Sequence, residues 1–216
     1  MDVLLSDFAN FDTLNIFSDA SIARNGNFTI GCYGVVCVEV DSIIDKEYRL
    51  VSNTTSNNSE LKGVRCALSL ANKYKNRYRY INIFSDSAIS IIGLREYINN
   101  WKFKDDGLLY TKYNSVVKNQ DIFIGSKCIL NELERSNTII RLFHQSGHIN
   151  VDNYNDLKNA SNTFNKMNNI NGKIDLNFIR YISNYNNYVD NTSRSLVRLN
   201  RRTNNLYIDP IHMMKF

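Results

Sequence analysis

Three acidic residues are the natural starting point for chemistry in this sequence. Asp19 closes the run Leu14-Asn15-Ile16-Phe17-Ser18, and Asp86 closes Tyr80-Ile81-Asn82-Ile83-Phe84-Ser85. Each is therefore expected at the carboxyl end of a strand. Glu60 opens a segment with apolar residues at Leu61, Val64, Ala67, Leu68 and Ala71, the spacing of a helix. Two neighbouring strands that end in Asp bring two carboxylates together, and a helix lying over the sheet adds a third. Clustered carboxylates repel one another unless a cation neutralises them. Hard oxygen ligands suit Mg²⁺ or Mn²⁺, which keep waters and accept phosphate oxygens. Two such ions roughly 4 Å apart can activate water and stabilise the leaving oxygen in phosphodiester cleavage. Taken singly, each acid has a plainer role, since an Asp after a strand is usually a turn or cap and a Glu at a helix start complements the dipole. Their joint spacing in one topology favours a metal-binding set.

The elements that must position these acids follow from hydrophobic period and turn signals. Residues 14–19 read as a strand, Asn25-Gly26-Asn27 as a hairpin turn, 30–40 as a second strand and 47–52 as a third. The polar stretch 52–59 offers helix caps to the segment opened by Glu60. A strand over 80–86, a helix over 87–99, a polar and mostly basic loop over 102–118, a helix over 121–136 and a strand over 138–145 come next. Helical patches follow near 155–168 and 175–197. Three hairpin-linked strands followed by alternating elements predict an α/β fold. Its expected core is a five-stranded mixed sheet, three strands antiparallel and then two parallel, flanked by helices.

Composition narrows the class without naming a reaction. The chain has 216 residues, 43% of them hydrophobic and 22% charged, so disorder as the main state is excluded. The formal net charge of +5 fits a polyanion partner without requiring one. A single Pro and abundant Asn, Ile, Lys and Tyr suggest an AT-rich genome, such as that of a phage or a small-genome bacterium. Cys32, Cys37, Cys66 and Cys128 show no zinc-finger or CxxC spacing, which points to free thiols in a reduced, intracellular compartment. No signal peptide or membrane span is read, so the expected location is cytoplasmic.

Several segments resemble type 1 ribonucleases H. Ile16-Phe17-Ser18-Asp19-Ala20-Ser21, with Gly31-Cys32-Tyr33-Gly34-Val35-Val36, is similar to that family's first hairpin, "TDGS…GGYG". Thr55-Ser56-Asn57-Asn58-Ser59-Glu60-Leu61 resembles "TNNxxEL", and Ile83-Phe84-Ser85-Asp86-Ser87 resembles "TDS". Ile98-Asn99-Asn100-Trp101-Lys102 and Val117-Lys118-Asn119-Gln120-Asp121 match the segments that follow. The resemblance covers residues 14–148 and a short piece near 186–194. It implies a ribonuclease H-like fold and an endonuclease that cuts the RNA strand of RNA–DNA hybrids, leaving 5′-phosphates. It also implies two Mg²⁺ ions, with Mn²⁺ as a substitute, on Asp19, Glu60 and Asp86, with Asp19 bridging them. Ser21, Asn57 and Ser87 would contact substrate, and Trp101 and Lys102, with Lys104, Lys112 and Lys118, would form a gripping basic protrusion.

Two further catalytic positions have competitors. The family's mobile His falls on His148 in His144-Gln145-Ser146-Gly147-His148, with Ser146 where a Lys is usual. A slid alignment selects His144, but a proton shuttle needs the mobility of a loop. The fourth carboxylate follows a pattern like "NxxxDxxxR". Asn186, Asp190 and Arg194 fit it, although Asp190 lies 42 residues beyond His148. Asp156 stands nearer and fits the pattern less well. Choosing Asp190 implies an insertion over 149–185, which loop-closure entropy tolerates. The expected organisation is a lead-in over 1–13, the ribonuclease H-like domain over 14–198 and a basic, then apolar, tail over 199–216. A DNA-directed nuclease of the same fold, such as a junction resolvase or integrase-like enzyme, and an inactive nucleic-acid-binding module are the alternatives.

Overall fold

A computed structural model describes residues 2–25 and 28–203. A short 3-10 turn, Leu5–Asp7, leads into strand β1, Thr13–Asn25. β2, Phe28–Glu39, and β3, Ser42–Ser52, complete a meander. Helix α1, Ser56–Tyr74, is capped by Thr55, whose side chain accepts from the Asn58 N–H. It leads to β4, Tyr80–Ser85. Then come α2, Ala88–Ile92, the two-residue strands β5, Lys102–Phe103, and β6, Leu109–Tyr110, and α3, Gln120–Glu134. β7, Ile139–His144, is followed by α4, Tyr154–Asn168, and α5, Leu176–Thr203.

The main sheet has the order β3-β2-β1-β4-β7. β3, β2 and β1 pair antiparallel, while β1–β4 and β4–β7 pair parallel, as the sequence order predicts. One boundary differs in a useful way. β1 does not stop at Asp19 but runs six residues further, because β2 stays paired with it to Asn25↔Phe28. Its pairing with β4 ends at Ser18↔Ser85, and β4 with β7 ends at Ser85↔His144. Asp19, Asp86 and Gln145 are therefore the first residues past the parallel ladder, where a cleft opens between splayed strands.

Two other expectations are modified. The helix expected over 87–99 breaks into α2, a π-helical turn at Gly93–Tyr97 and a 3-10 turn at Ile98–Asn100. Gly93 and the β-branched isoleucines around it are weak helix formers. The loop over 102–118 holds the β5–β6 ribbon, turned at Gly107 with a φ of 75°. Residues 26–27 of the expected turn, and the tail from 204 onward, lie outside the described residues.

Alternation along the strands splits the core between two faces. Leu14, Ile16, Val35, Cys37, Ile81 and Ile83 pack under α1 and α3. Phe17, Val36, Val38 and Phe84 pack under α4 and α5, with Phe164 and Phe178. The second face is aromatic: Phe17 and Phe84 stack with centroids 5.0 Å apart, and Phe84 and Phe143 at 5.3 Å. Residues 149–185 supply all of α4 and the start of α5 to this face. The lead-in closes on it too. Phe8 is buried there, and Val3 donates to the Lys173 carbonyl at 2.8 Å while accepting from the Asp175 N–H at 2.9 Å. At the sheet edge Asn168 of α4 acts as a substitute strand. Its Oδ1 accepts from the His144 N–H at 2.9 Å, and its Nδ2 donates to the His144 carbonyl at 2.7 Å.

Candidate active site

Asp19, on β1, is only 5% exposed. The Ala20 N–H donates to its Oδ1 at 2.6 Å, and Asn186 Nδ2 stands 3.4 Å from its Oδ2. Burial pushes its carboxyl well above the usual range, and the charges of Asp86, Asp190 and Glu60 push the same way; the Ala20 N–H opposes them. Asp86 follows β4 and is also raised, first by burial and then by Glu60, with Asp190 adding and His148 opposing. The four acids thus share one electrostatic neighbourhood, although they come from β1, α1, the end of β4 and α5.

Two glycines make the close approaches. A methyl group at Gly63 of α1 would stand 2.6 Å from Ser18 Oγ, so α1 can lie this near β1 only without a side chain there. That contact brings Glu60, one helical turn earlier, toward Asp19. Gly147 lies against Asp86, and a methyl there would overlap Asp86 Oδ2.

The helix-borne acids are engaged with their own helices. Ser56 Oγ donates to Glu60 Oε1 at 2.7 Å. Asp190, also 5% exposed, pairs through Oδ2 with Arg194 at 2.6 Å and with His148 Nδ1 at 3.3 Å. The two histidines separate cleanly. His144 is buried in β7, and its Nε2 stands 3.1 Å from the Asp86 carbonyl, with burial lowering its pKa. His148 is 64% exposed at its side chain and sits in the left-handed region with a φ of 55°. Asp156 lies in the first turn of α4 and is not among the acids that raise Asp19 or Asp86.

The remaining residues singled out in the sequence fall on two sides of the site. Asn57 is exposed in the first turn of α1, and Ser21 is half-buried two positions beyond Asp19, on the same side of β1. Ser87 is buried, and its hydroxyl caps α2 by accepting from the Ser90 N–H at 3.4 Å. Trp101 is half-buried and packs edge-on to Phe123 at 4.9 Å. Lys102, Lys104, Lys112 and Lys118 are exposed. Sequence reasoning missed Gln145, which is 2% exposed and donates through Nε2 to Asn186 Oδ1 at 2.7 Å. In the sequence Asn186 is only one letter of a pattern, yet it lies four residues before Asp190 and so on the same helix face.

A profile of the RNase H family matches residues 12–164. The chain belongs to the RNase H family, a family of nucleases. No curated protein sequence matches it. Among solved structures it is similar to the foamy viral protease-reverse transcriptase in complex with an RNA/DNA hybrid, at a TM-score of 0.54 and 16% identity, over 77% of this chain and 20% of that one. This chain therefore spans about a fifth of the length of that protein. The foamy viral protein in complex with double-stranded DNA matches at 0.53 and 18% identity, over 77% and 96% of the two chains. The RNase H domain of prototype foamy virus matches at 0.53 and 14% identity, over 77% and 98%. The family match ends before α5, so Asp190 lies outside it.

The donor set suits a hard divalent cation, because four carboxylates and no thiolate converge on the cleft. Burial and mutual repulsion leave Asp19 and Asp86 short of positive charge, which a cation would supply. Among the described residues no three His, Cys, Asp or Glu side chains are arranged to hold a metal ion as they stand. Glu60 is hydrogen-bonded to Ser56, and Asp190 is paired with Arg194 and His148. Among the described residues no helix is long and apolar enough to cross a membrane.

Proposed function

We propose that this protein is an endonuclease that hydrolyses the RNA strand of RNA–DNA hybrids with divalent metal ions. The observation that carries the proposal is the convergence of Asp19, Glu60, Asp86 and Asp190 in a chain of the RNase H family. These four would hold two Mg²⁺ or Mn²⁺ ions, Asp19 serving both, and the bound ions would supply an activated water and charge neutralisation at the phosphodiester. The Ala20 N–H and Asn186 fix Asp19 on both of its oxygens. Gly147 leaves room for the Asp86 carboxylate and keeps the β7 loop closed over it. His148, exposed on its loop and facing Asp190, carries a proton at its ring nitrogens between the site and solvent. Products would bear 5′-phosphates. Asn57 and Ser21 border the cleft and would touch the hybrid's backbone, with Lys102 and its neighbouring lysines gripping one strand. Ser87 and Trp101 act on that surface indirectly, through the cap of α2 and the packing on Phe123. The hybrid bound by the foamy viral relative supports this substrate class.

The test is cleavage of a labelled RNA–DNA hybrid with Mg²⁺ or Mn²⁺, comparing the native protein with Asp86→Asn and Asp190→Asn. Cutting of the RNA strand alone, lost in both variants, is the expected result. Full activity in Asp190→Asn beside an inactive Asp86→Asn would move the fourth position to Asp156. Equal cutting of duplex DNA would make it a DNA-directed nuclease of the same fold. Binding without cutting under either ion would make it a binding module.

A further inference from the structure

Helix α5 ends in an arginine-rich segment. Val197 is the last buried residue among those of the helix whose burial is described, and the helix continues to Thr203. Residues 191–203 contain four arginines and no acid, in a chain whose whole excess is +5. Arg198 and Arg201 are exposed. At about 100° per residue, Arg194 and Arg201 project within about 40° of Asp190, and Arg198 within about 80°. The flank of α5 that carries an acid into the cleft therefore becomes cationic as it leaves.

We infer that Arg198 and Arg201 form a phosphate track, which holds the nucleic-acid backbone beyond the cleaved segment. This rests on the proposed nucleic-acid substrate and adds a second contact region to it. Arg194 is tied to Asp190 at 2.6 Å and marks where the site ends and the track begins. A rise of 1.5 Å per residue places Arg201 about 16 Å along the helix from Asp190. A duplex strand advances about 3.4 Å per phosphate, so the track meets the backbone on the order of five nucleotides from the site. Guanidinium groups suit this task because they bind phosphate oxygens in pairs. The partner is a phosphodiester backbone, read without sequence, since the described flank offers charge and no base-reading pocket. Cations near a helix C-terminus also complement its dipole. That role alone would alter helix stability and leave nucleic-acid binding unchanged.

The experiment compares the native protein with Arg198→Ala/Arg201→Ala and with Arg198→Lys/Arg201→Lys. Binding is read by fluorescence anisotropy against salt, on hybrids of about 8 and about 24 base pairs. Circular dichroism checks that the variants fold. On the long hybrid the double alanine variant should lose about 1.8 from the slope of log K against log salt, about 0.9 per lost phosphate contact. Its KM should rise several-fold with kcat unchanged. On the short hybrid it should match the native protein, and the double lysine variant should keep the native slope on both. An unchanged slope and KM in the alanine variant on the long hybrid would overturn the track. So would an equal loss on both lengths. If the native protein binds hybrid and never cuts it, the proposed activity fails, while the slope comparison still decides the track.

Discussion

Asp19 and Asp86 rise from the sheet, whereas Glu60 and Asp190 approach from helices packed on its opposite faces. Asp19 is buried and Asp86 half-buried, and both are held by fixed backbone: the Ala20 N–H on Asp19, and the bare Cα of Gly147 beside Asp86. Both carboxyls are raised by burial and by the charges around them. The helix-borne pair is compensated nearby, Glu60 by the Ser56 hydroxyl and Asp190 by Arg194 and His148. Unrelieved charge therefore sits where the backbone is stiffest. The adaptable side chains are those that already have a partner to leave. A cation entering this cleft would gain most from the first pair and would draw the second pair inward.

The sharpest way to break that contrast is to remove the unrelieved charge. Asp86→Asn and Asp19→Asn should each lower hybrid cleavage at least about 10³-fold, about 4 kcal/mol of transition-state stabilisation. The same substitutions should raise the melting temperature of the metal-free protein near pH 8, by about 2–6 °C. Activity assays and thermal scans in a chelator check both. A lowered melting temperature would mean that the charges are stabilised by contacts the contrast does not include. Gly147→Ala tests stiffness rather than charge. The added methyl overlaps Asp86 Oδ2 and must displace either the carboxylate or the loop. Turnover should fall about 10²-fold, about 2.7 kcal/mol, with hybrid affinity nearly unchanged. Loss of affinity in equal measure would show that the loop, not Asp86, had moved.

The same contrast governs what could be read from sequence. Asp19 and Asp86 end apolar β-rich runs, and Glu60 opens a helix with clear period, so local pattern placed all three. The five-stranded mixed sheet was legible for the same reason. Asp190 required a choice between two registers, because α4 stands between it and His148. Gln145 was not legible, since its neighbour Asn186 comes from a helix 41 residues on. The faces of the sheet differ in the same way. The aliphatic face is made by α1 and α3, whose spacing shows in the sequence. The aromatic face joins Phe8, Phe84, Phe164 and Phe178, which no local window brings together. Strand length at β1 escaped as well, because it depends on the partner β2 rather than on the Asp that interrupts it.

A third and smaller effect concerns stability against pH without metal. Asp19 and Asp86 hold their protons more tightly in the folded chain than in the unfolded one, where Asp titrates near 3.9. The folded state therefore binds more protons above about pH 4, and its stability falls as pH rises from there through neutrality. The dependence scales at about 1.4 kcal/mol for each tenfold change in proton affinity and is shared between the two coupled carboxyls. Mg²⁺ should stabilise more at pH 8 than at pH 5, and Asp19→Asn should flatten the dependence. A metal-free melting temperature that climbs from pH 5 to pH 8 in the native protein, and is unaltered in Asp19→Asn, would contradict the assignment of unrelieved charge to the strands.

The smallest effect tests the adaptable side. Ser56→Ala removes the hydroxyl that holds Glu60 against its own helix, at an exposed position where such pairs contribute about 0.2–0.5 kcal/mol. Thr55 remains as the cap, so α1 should keep its start. Freed from that bond, Glu60 reaches the cleft more readily. The Mn²⁺ concentration for half-maximal cleavage should fall by up to about twofold, with maximal rate nearly constant. A loss of activity approaching that of Asp86→Asn would carry the opposite lesson. It would mean that the Ser56 bond aims Glu60 rather than restrains it, and that all four acids are held in place alike.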